Sequence, residues 1–183
     1  MPKNDHYNIL IFDDNMFELQ DFIIDLRSKN VCVDTVKTVD GFYDKITSGS
    51  IYDFIFIDIM MNIHVEPLCM YSTKGGCNSG IIIAKCLRSN GLNVPIIFIS
   101  TDWLMPSGMS YAGDINSICN CCLIRKRDLK SIDFLKMFDG YMETKKFSNN
   151  NSVIEILISS IILKPSIYGI GFDVKNIIEQ WRK

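Results

Sequence analysis

Acidic, hydroxyl and basic side chains follow four short apolar runs of the sequence, each at the point where the run stops. Asp13 and Asp14 follow the first of these runs, and Asp58, Ser100 and Lys126 follow later ones. Converging carboxylates repel one another unless a cation balances them, and Mg²⁺ prefers a few carboxylates together with water and phosphate oxygens. A lysine and a hydroxyl group can hold phosphate oxygens, and a carboxylate can attack phosphorus to form an acyl phosphate. The residue types therefore predict phosphoryl chemistry with Mg²⁺, with Asp58 as the central candidate because it stands singly after its run.

Each of these side chains also has an ordinary structural explanation. An aspartate after a strand is usually a solvated turn residue, the Asp13-Asp14-Asn15 cluster could cap a helix, and Lys126 could be plain surface charge. The joint order along the chain, an acidic pair, an acid, a hydroxyl group and a lysine, is far more specific than any single member. The sequence contains no glycine-rich phosphate loop, so a nucleotide-binding site lacks its motif.

The apolar runs have the length of strands that are covered on both faces. They alternate with segments whose apolar residues recur at helical spacing, and this alternation predicts parallel strands joined by helical crossovers. Ligands of such sheets bind outside the carboxyl ends of the strands, so the candidate residues are expected to meet there. The predicted strands are 8–12, 31–36, 54–57, 95–99 and 121–124, and the predicted helices lie near 17–26, 42–46, 80–89 and 111–119.

Four segments of the sequence resemble the receiver domain of two-component response regulators, the CheY-like domains. The resemblance covers roughly residues 7 to 130 and implies a doubly wound, flavodoxin-like α/β fold. In that fold five parallel strands lie in the order 2-1-3-4-5 with helices on both faces. The segments are ILIFDDN (9–15), YDFIFIDIMM (52–61), VPIIFIST (94–101) and LIRK (123–126).

The resemblance implies roles for the acidic residues by their positions. Asp58 matches the phosphoacceptor, and Asp13 and Asp14 match the acidic pair that binds Mg²⁺. Asp58 and the backbone carbonyl of Met60 would complete the protein ligands of the metal. In such domains a histidine kinase or a phosphotransfer protein donates the phosphoryl group. The receiver catalyses the transfer and later hydrolyses its own acyl phosphate, so the resemblance implies a signalling protein and not an enzyme with an external substrate.

The later segments are matched in the same way, with departures. Ser100 matches the switch hydroxyl, Lys126 matches the active-site lysine, and Met60 and Asp102 fall where the family tunes hydrolysis. The switch aromatic of the family is replaced by Leu123, so the usual readout through that position is not expected.

Two prolines of the family pattern are also replaced. Asn62 stands where the family usually has a proline four residues after the phosphoacceptor, and Arg127 stands where a proline follows the lysine. A rigid proline turn is therefore not expected after the third strand.

The remaining residues form two surplus segments. We expect a receiver domain at 1–146 with an extended loop at 62–79, followed by a C-terminal helical extension at 147–183. The loop leaves the sheet beside Asp58 and is read as a lid or partner-contact loop, because its cysteines and histidine match no standard zinc spacing. The helices of the extension either pack on the receiver or form a partner-docking helix centred on Trp181.

Composition and charge limit the classes of partner. The 183 residues carry 19 Lys and Arg against 21 Asp and Glu, a net charge of −2, so a DNA-binding output is not indicated. Neither a signal peptide nor an apolar run long enough to span a bilayer is present, and we expect a cytoplasmic protein. The seven cysteines are odd in number and are expected to be reduced.

Three functions fit these observations. The first is a receiver that accepts a phosphoryl group on Asp58 and signals by contact with an unknown protein partner. The alternative is a phosphorylation-independent pseudo-receiver adapter whose acidic site is vestigial. The third is an Asp-nucleophile phosphatase of the haloacid dehalogenase type, which fits poorly because its first strand carries Asp-x-Asp whereas Asp13 and Asp14 are adjacent.

Overall fold

The computed structural model describes residues 7–62, 77–101 and 111–147 of the chain. The chain divides into two compact units, Met1–Phe134 and Leu135–Lys183, and the whole sheet lies in the first. The strands are β1 (Asn8–Phe12), β2 (Cys32–Val36), β3 (Phe54–Asp58), β4 (Ile96–Ser100) and β5 (Cys121–Arg125). The helices are α1 (Gln20–Ser28), α2 (Val39–Thr47), α3 (Ser79–Ser89), α4 (Ala112–Asn116) and α5 (Phe134–Phe147), with 3-10 turns at Met16–Leu19 and Lys126–Ser131.

The five strands form one sheet in the order β2-β1-β3-β4-β5. All neighbouring strands run parallel, so their carboxyl ends reach the same edge of the sheet. The predicted flavodoxin-like α/β fold, with its doubly wound parallel sheet of order 2-1-3-4-5, is therefore confirmed.

The central strands are buried because both of their faces are covered. Every residue of β3 and β4 is buried, as are the last four residues of β1. On one face Phe22 of α1 packs against Phe56 of β3 and Phe134, with ring centroids 5.5 and 4.9 Å apart. The opposite face contributes Phe12 to a core cluster with Phe42 of α2, whose ring stacks on it at 4.7 Å. Apolar runs without polar alternation are the pattern that such two-sided burial requires.

Buried side chains of α3 and α4 belong to the same core cluster as those of β1 and β3. Ile83 and Leu87 of α3 and Ile115 of α4 are among its buried members. The helix after the acidic pair starts later than predicted, because a 3-10 turn (Met16–Leu19) precedes α1. Among the described residues, no helix is long and apolar enough to cross a membrane.

The cysteines of the described residues are not all reduced. Five thiols are free. Cys86, in α3, is disulfide-bonded, so the expectation of reduced thiols is wrong at this position. The free thiols are Cys32, Cys77, Cys119, Cys121 and Cys122.

Candidate functional site

The strand register brings the predicted site residues to one edge of the sheet. Asp58, the last residue of β3, lies beside Ile99 of β4, and Ser100 lies beside Arg125 of β5. Ser100 thus directly follows the partner of Asp58, and Lys126 directly follows the partner of Ser100. Short side chains at successive positions of adjacent parallel strands lie close together, and the sheet alone accounts for this part of the site.

Three carboxylates form an acidic cluster at this edge. One oxygen from each of Asp13, Asp14 and Asp58 can be chosen so that all lie within 4.8 Å of one another. Asp13 is fully buried and Asp58 is 4% exposed, while Asp14 is half-buried. Hard oxygen donors at this spacing, open to solvent on the side of Asp14, suit Mg²⁺ because it keeps part of its water shell. The cluster therefore fits a magnesium ion in its donor chemistry.

The ammonium group of Lys126 lies against two of these carboxylates. Its Nζ atom is 2.9 Å from Asp13 Oδ2 and donates a hydrogen bond of 3.1 Å to Asp58 Oδ2. The Lys126 side chain is 8% exposed, so these ion pairs are screened little by solvent. A lysine so placed balances part of the negative charge that the strand ends bring together.

Burial and charge shift the pKa values of this group in opposite directions. Burial raises the pKa of Asp58 to about 7, although Lys126 acts to lower it. Burial raises the pKa of Asp13 as well, against the influence of Lys126 and of the Asn15 amide. Burial alone would lower the pKa of Lys126, but the two carboxylates hold it above its ordinary value. Because Asp58 is only partly ionised at neutral pH, a second cation beside it would favour the ionised form that a nucleophile needs.

Ser100 carries a buried hydroxyl group with no partner. The residue is 1% exposed, and its Oγ atom makes no hydrogen bond among the described residues. A buried hydroxyl group without a partner is unfavourable, and it is uncommon in folded proteins unless a ligand or water satisfies it. The orphaned group lies at the edge where the acidic cluster and Lys126 meet.

Backbone amides after β1 and β3 orient the carboxylates of the acidic cluster. The Asn15 amide donates to Asp13 Oδ1 at 2.7 Å, and the Met60 amide lies 3.4 Å from Asp58 Oδ1. The Asn62 amide donates to Asp14 Oδ2 at 2.9 Å. A proline at position 62 would have no N–H, so this last hydrogen bond depends on the departure from the family pattern.

Gly80 lets α3 approach the end of β3. A methyl group on Gly80 would overlap the carbonyl oxygen of Asp58 and lie 2.9 Å from Ile57 Cγ2. The Gly80 amide donates to the carbonyl of Ile59 at 3.1 Å, which ties the start of α3 to the same segment. The sequence interpretation used Gly80 only to mark the start of a helix. Its closeness to Asp58 depends on how α3 packs on β3, which no local pattern reveals.

Glu18 is a further residue that the sequence interpretation missed. Its Oε2 atom is 3.6 Å from Lys126 Nζ and 3.5 Å from Thr101 Oγ1. Only the apolar neighbours of Glu18 entered the helical pattern, and a glutamate on the polar side of a helix gives no signal of its own.

The remaining predicted residues have different outcomes. Leu123, at the position of the switch aromatic, is half-buried and packs against the core cluster. Met60 is 37% exposed, beside the acidic cluster. Asp102, residues 63–76 of the extended loop and residues 148–183 of the C-terminal extension lie outside the described residues.

Comparisons with known proteins find likeness in structure alone. No protein-family model matches the sequence, and no curated protein matches it. The RcsB response regulator of Salmonella typhimurium superposes with a TM-score of 0.57 and 13% identity, over 84% of this chain and 67% of that chain. A second structure of RcsB gives a TM-score of 0.53 and 12% identity, over 85% of this chain and 66% of that chain.

The likeness extends, more weakly, to an isolated receiver domain. That of the Francisella response regulator 1452 gives a TM-score of 0.47 and 18% identity, over 86% of this chain and 96% of that chain. The assignment of the fold therefore rests on the sheet order and on the likeness to RcsB. By these two criteria the chain has the fold of response regulator receiver domains, and it carries an acidic cluster of Asp13, Asp14 and Asp58 at the carboxyl edge of the sheet.

Proposed function

We propose that the chain is a response-regulator receiver that accepts a phosphoryl group on Asp58 and signals by protein contact. The observation that carries the proposal is the position of the Lys126 ammonium group, 3.1 Å from Asp58 Oδ2 and 2.9 Å from Asp13 Oδ2 at the carboxyl edge of a receiver fold. A buried nucleophile, a cation and an acidic cluster are the components that phosphoryl transfer to a carboxylate requires.

The chemical step is a displacement at phosphorus. An oxygen of the ionised Asp58 carboxylate forms a bond to phosphorus while the bond from phosphorus to the leaving atom of the donor breaks. Lys126 moves its hydrogen bond from the carboxylate to a phosphoryl oxygen, and the Ser100 hydroxyl group donates to another. The orphaned hydroxyl group of Ser100 thereby gains a partner in the phosphorylated chain.

Magnesium is the cofactor that we assign to the acidic cluster. Asp13, Asp14, Asp58 and the backbone carbonyl of Met60 would hold it. When bound, Mg²⁺ supplies charge that neutralises the phosphoryl oxygens during transfer. The residues themselves orient the site: the Asn15 amide fixes one oxygen of Asp13 and the Asn62 amide fixes one oxygen of Asp14.

The donor and the readout follow from the same proposal. A histidine kinase or a phosphotransfer protein supplies the phosphoryl group, and the chain acts on no external substrate. Because Leu123 replaces the switch aromatic and is half-buried in the core cluster, the signal is carried to the unknown partner by another part of the molecule.

The test is phosphorylation by a small donor. The chain is incubated with acetyl phosphate and Mg²⁺, and intact-mass spectrometry counts the phosphoryl groups added. We expect one group, removed by hydroxylamine as an acyl phosphate is, and none when EDTA replaces Mg²⁺. Asp58→Asn should abolish the adduct.

Asp53 offers a matched control at the other end of β3. Its carboxylate accepts a hydrogen bond of 2.8 Å from the Asn8 amide, far along the strand from Asp58. Asp53→Asn should accept the phosphoryl group at the wild-type rate. Absence of any adduct on the wild-type chain would contradict the proposal and favour the adapter, and steady turnover of an external phosphoester would favour the phosphatase.

A further inference from the structure

Lys126 has three N–H donors and faces three carboxylates. Two of them, on Asp13 and Asp58, belong to the acidic cluster and are buried. The third belongs to Glu18, whose side chain is 42% exposed and whose Oε2 atom is 3.6 Å from Nζ. The contact of Lys126 with Glu18 is thus the longest and the most exposed of the three.

The Glu18 carboxylate lies at the carboxyl edge of the sheet, where it contacts residues that follow two other strands. Glu18 lies in the 3-10 turn that follows β1, yet its carboxylate also accepts a hydrogen bond of 3.5 Å from Thr101, which follows β4. In the sheet β3 lies between β1 and β4, so a side chain that joins their ends passes the end of β3. The Glu18 carboxylate thus links residues that follow the two strands on either side of β3, whose last residue is Asp58.

A phosphoryl group on Asp58 would compete with Glu18 for the Lys126 ammonium group. The contacts at 2.9 and 3.1 Å are buried, whereas the contact at 3.6 Å is exposed and screened by water. Glu18 and a phosphoryl group are both anionic, so the two also repel each other electrostatically.

We propose that Glu18 is a positioning residue of the phosphoacceptor site, whose carboxylate pairs with the Lys126 ammonium group in the unphosphorylated chain and opposes occupation of Asp58 by a phosphoryl group. The inference rests on the proposed function and adds to it a residue that sets how readily Asp58 is loaded. Glu18 touches neither the phosphoryl group nor the acidic cluster in this role, but acts through Lys126. Thr101 supports it by holding the carboxylate from the side of β4.

The test compares Glu18→Gln with a matched charge control. Glutamine has the shape of glutamate without its charge. Asp25→Asn removes one negative charge from α1, where Asp25 pairs with Lys29 at 2.7 Å in an exposed ion pair. The rate of phosphorylation by acetyl phosphate with Mg²⁺ is measured by intact mass at low and high salt, and the Mg²⁺ dissociation constant is measured by calorimetry.

We expect Glu18→Gln to be phosphorylated about three- to tenfold faster than the wild type at low salt, and its acyl phosphate to last longer. The difference should shrink at high salt, since screening weakens the repulsion but would not alter a purely structural effect. Asp25→Asn should match the wild type at both salt concentrations. Glu18→Gln should bind Mg²⁺ no more tightly than the wild type, because the loss of a nearby negative charge does not strengthen cation binding, so tighter metal binding would not explain a faster phosphorylation.

Other outcomes separate this inference from the proposed function. If the wild type is phosphorylated on Asp58 and Glu18→Gln behaves identically at both salt concentrations, the role of Glu18 is wrong and the receiver function stands. A rate that falls in Glu18→Gln would equally overturn it, provided that the urea unfolding midpoint is unchanged. If neither chain takes up a phosphoryl group, the proposed function fails and the inference fails with it.

Discussion

The buried ion pair of Asp58 and Lys126 has opposing effects on the stability of the folded chain. The pair satisfies charge at the end of β3, but burial still raises the pKa of Asp58 to about 7. Buried carboxylates of this kind favour the folded state only when they are protonated or balanced by cations. The site is thus poised to respond to protons and to metal.

The pH dependence of stability follows from this shift. The pKa of Asp58 is about 7 in the folded chain against an ordinary value of 3.8 for this carboxyl group, so the folded state binds the proton more tightly between these values. The contribution of Asp58 to stability is therefore fully present below the lower value and is lost as the pH rises through the higher one. Urea titrations in EDTA should show a lower free energy of unfolding at about pH 8 than at about pH 5, by at most about 3 kcal/mol.

Two comparisons check the origin of this effect. Asp58→Asn removes the titrating group, so its stability should fall less over the same pH range. Mg²⁺ should restore stability at the higher pH, because a ligand that binds only the folded chain stabilises it. A wild-type chain that becomes more stable between the two pH values in EDTA would refute the assignment.

The Ser100 hydroxyl group is expected to matter for the phosphorylated chain but not for the stability of the unphosphorylated one. Because its buried hydroxyl group has no partner, Ser100→Ala should leave the free energy of unfolding unchanged or raise it by about 1 kcal/mol. The increase in urea midpoint that acetyl phosphate with Mg²⁺ produces in the wild type should be smaller in this variant, since a hydrogen bond to the phosphoryl group is lost.

Ser89 is the control for this prediction. Its hydroxyl group donates to the carbonyl of Lys85 at 3.0 Å on the exposed side of α3. Ser89→Ala should keep the full increase in midpoint on phosphorylation. An equal increase in Ser100→Ala would show that the hydroxyl group does not bind the phosphoryl group.

At the scale of elements, the contact between α3 and β3 is the least tolerant part of the site. Gly80→Ala would push a methyl group into the carbonyl of Asp58, and overpacking of this kind destabilises proteins by about 1–3 kcal/mol. We expect the variant to lose stability of that size and to be phosphorylated more slowly, since the backbone of the phosphoacceptor must move. Urea unfolding and intact-mass kinetics measure the two effects.

Gly113 is the matched glycine in a helix. A methyl group there would meet no atom within 4 Å, so Gly113→Ala in α4 should be neutral or stabilising by up to about 1 kcal/mol. The phosphorylation rate should be unchanged. Equal behaviour of the two alanine variants would mean that α3 can shift without disturbing Asp58.

Elements were predictable where periodicity and two-sided burial agree. The runs 9–12, 54–57 and 96–99 within β1, β3 and β4 are apolar throughout because helices cover both faces, and this pattern identifies them from sequence. The start of α1 was less predictable. Asp13 accepts a hydrogen bond from the Asn15 amide at 2.7 Å, and the chain enters α1 through a 3-10 turn, which the helical spacing of apolar residues does not distinguish from an α-helical start.

The site was predictable only in the part that strand ends determine. The parallel register of β3, β4 and β5 places Asp58, Ser100 and Lys126 at the carboxyl ends of neighbouring strands. Glu18 and Gly80 could not be found in this way. One acts through a long side chain that reaches across neighbouring strands, and the other through the packing distance between a helix and a strand. Both depend on tertiary geometry for which a single sequence holds no periodic signal.

At the scale of the whole molecule, the sheet and all the described site residues lie within Met1–Phe134. A chain that ends after residue 147 retains every strand and α5, so we expect it to fold and to accept a phosphoryl group with Mg²⁺ at the wild-type rate. Circular dichroism and intact-mass kinetics test this prediction. A truncated chain that fails to fold would place the limit of the receiver domain beyond the predicted boundary at 146.

The topology also has a consequence for the order in which the molecule is made. Strand β1 pairs with β2 and β3, which follow it by helical crossovers, and β5 is synthesised last of the five. Until β5 docks, Asp13 and Asp58 approach each other without the ammonium group of Lys126, and their ionised forms repel. A nascent chain therefore brings the Lys126 ammonium group to Asp13 and Asp58 only after the edge strand β5 has left the ribosome.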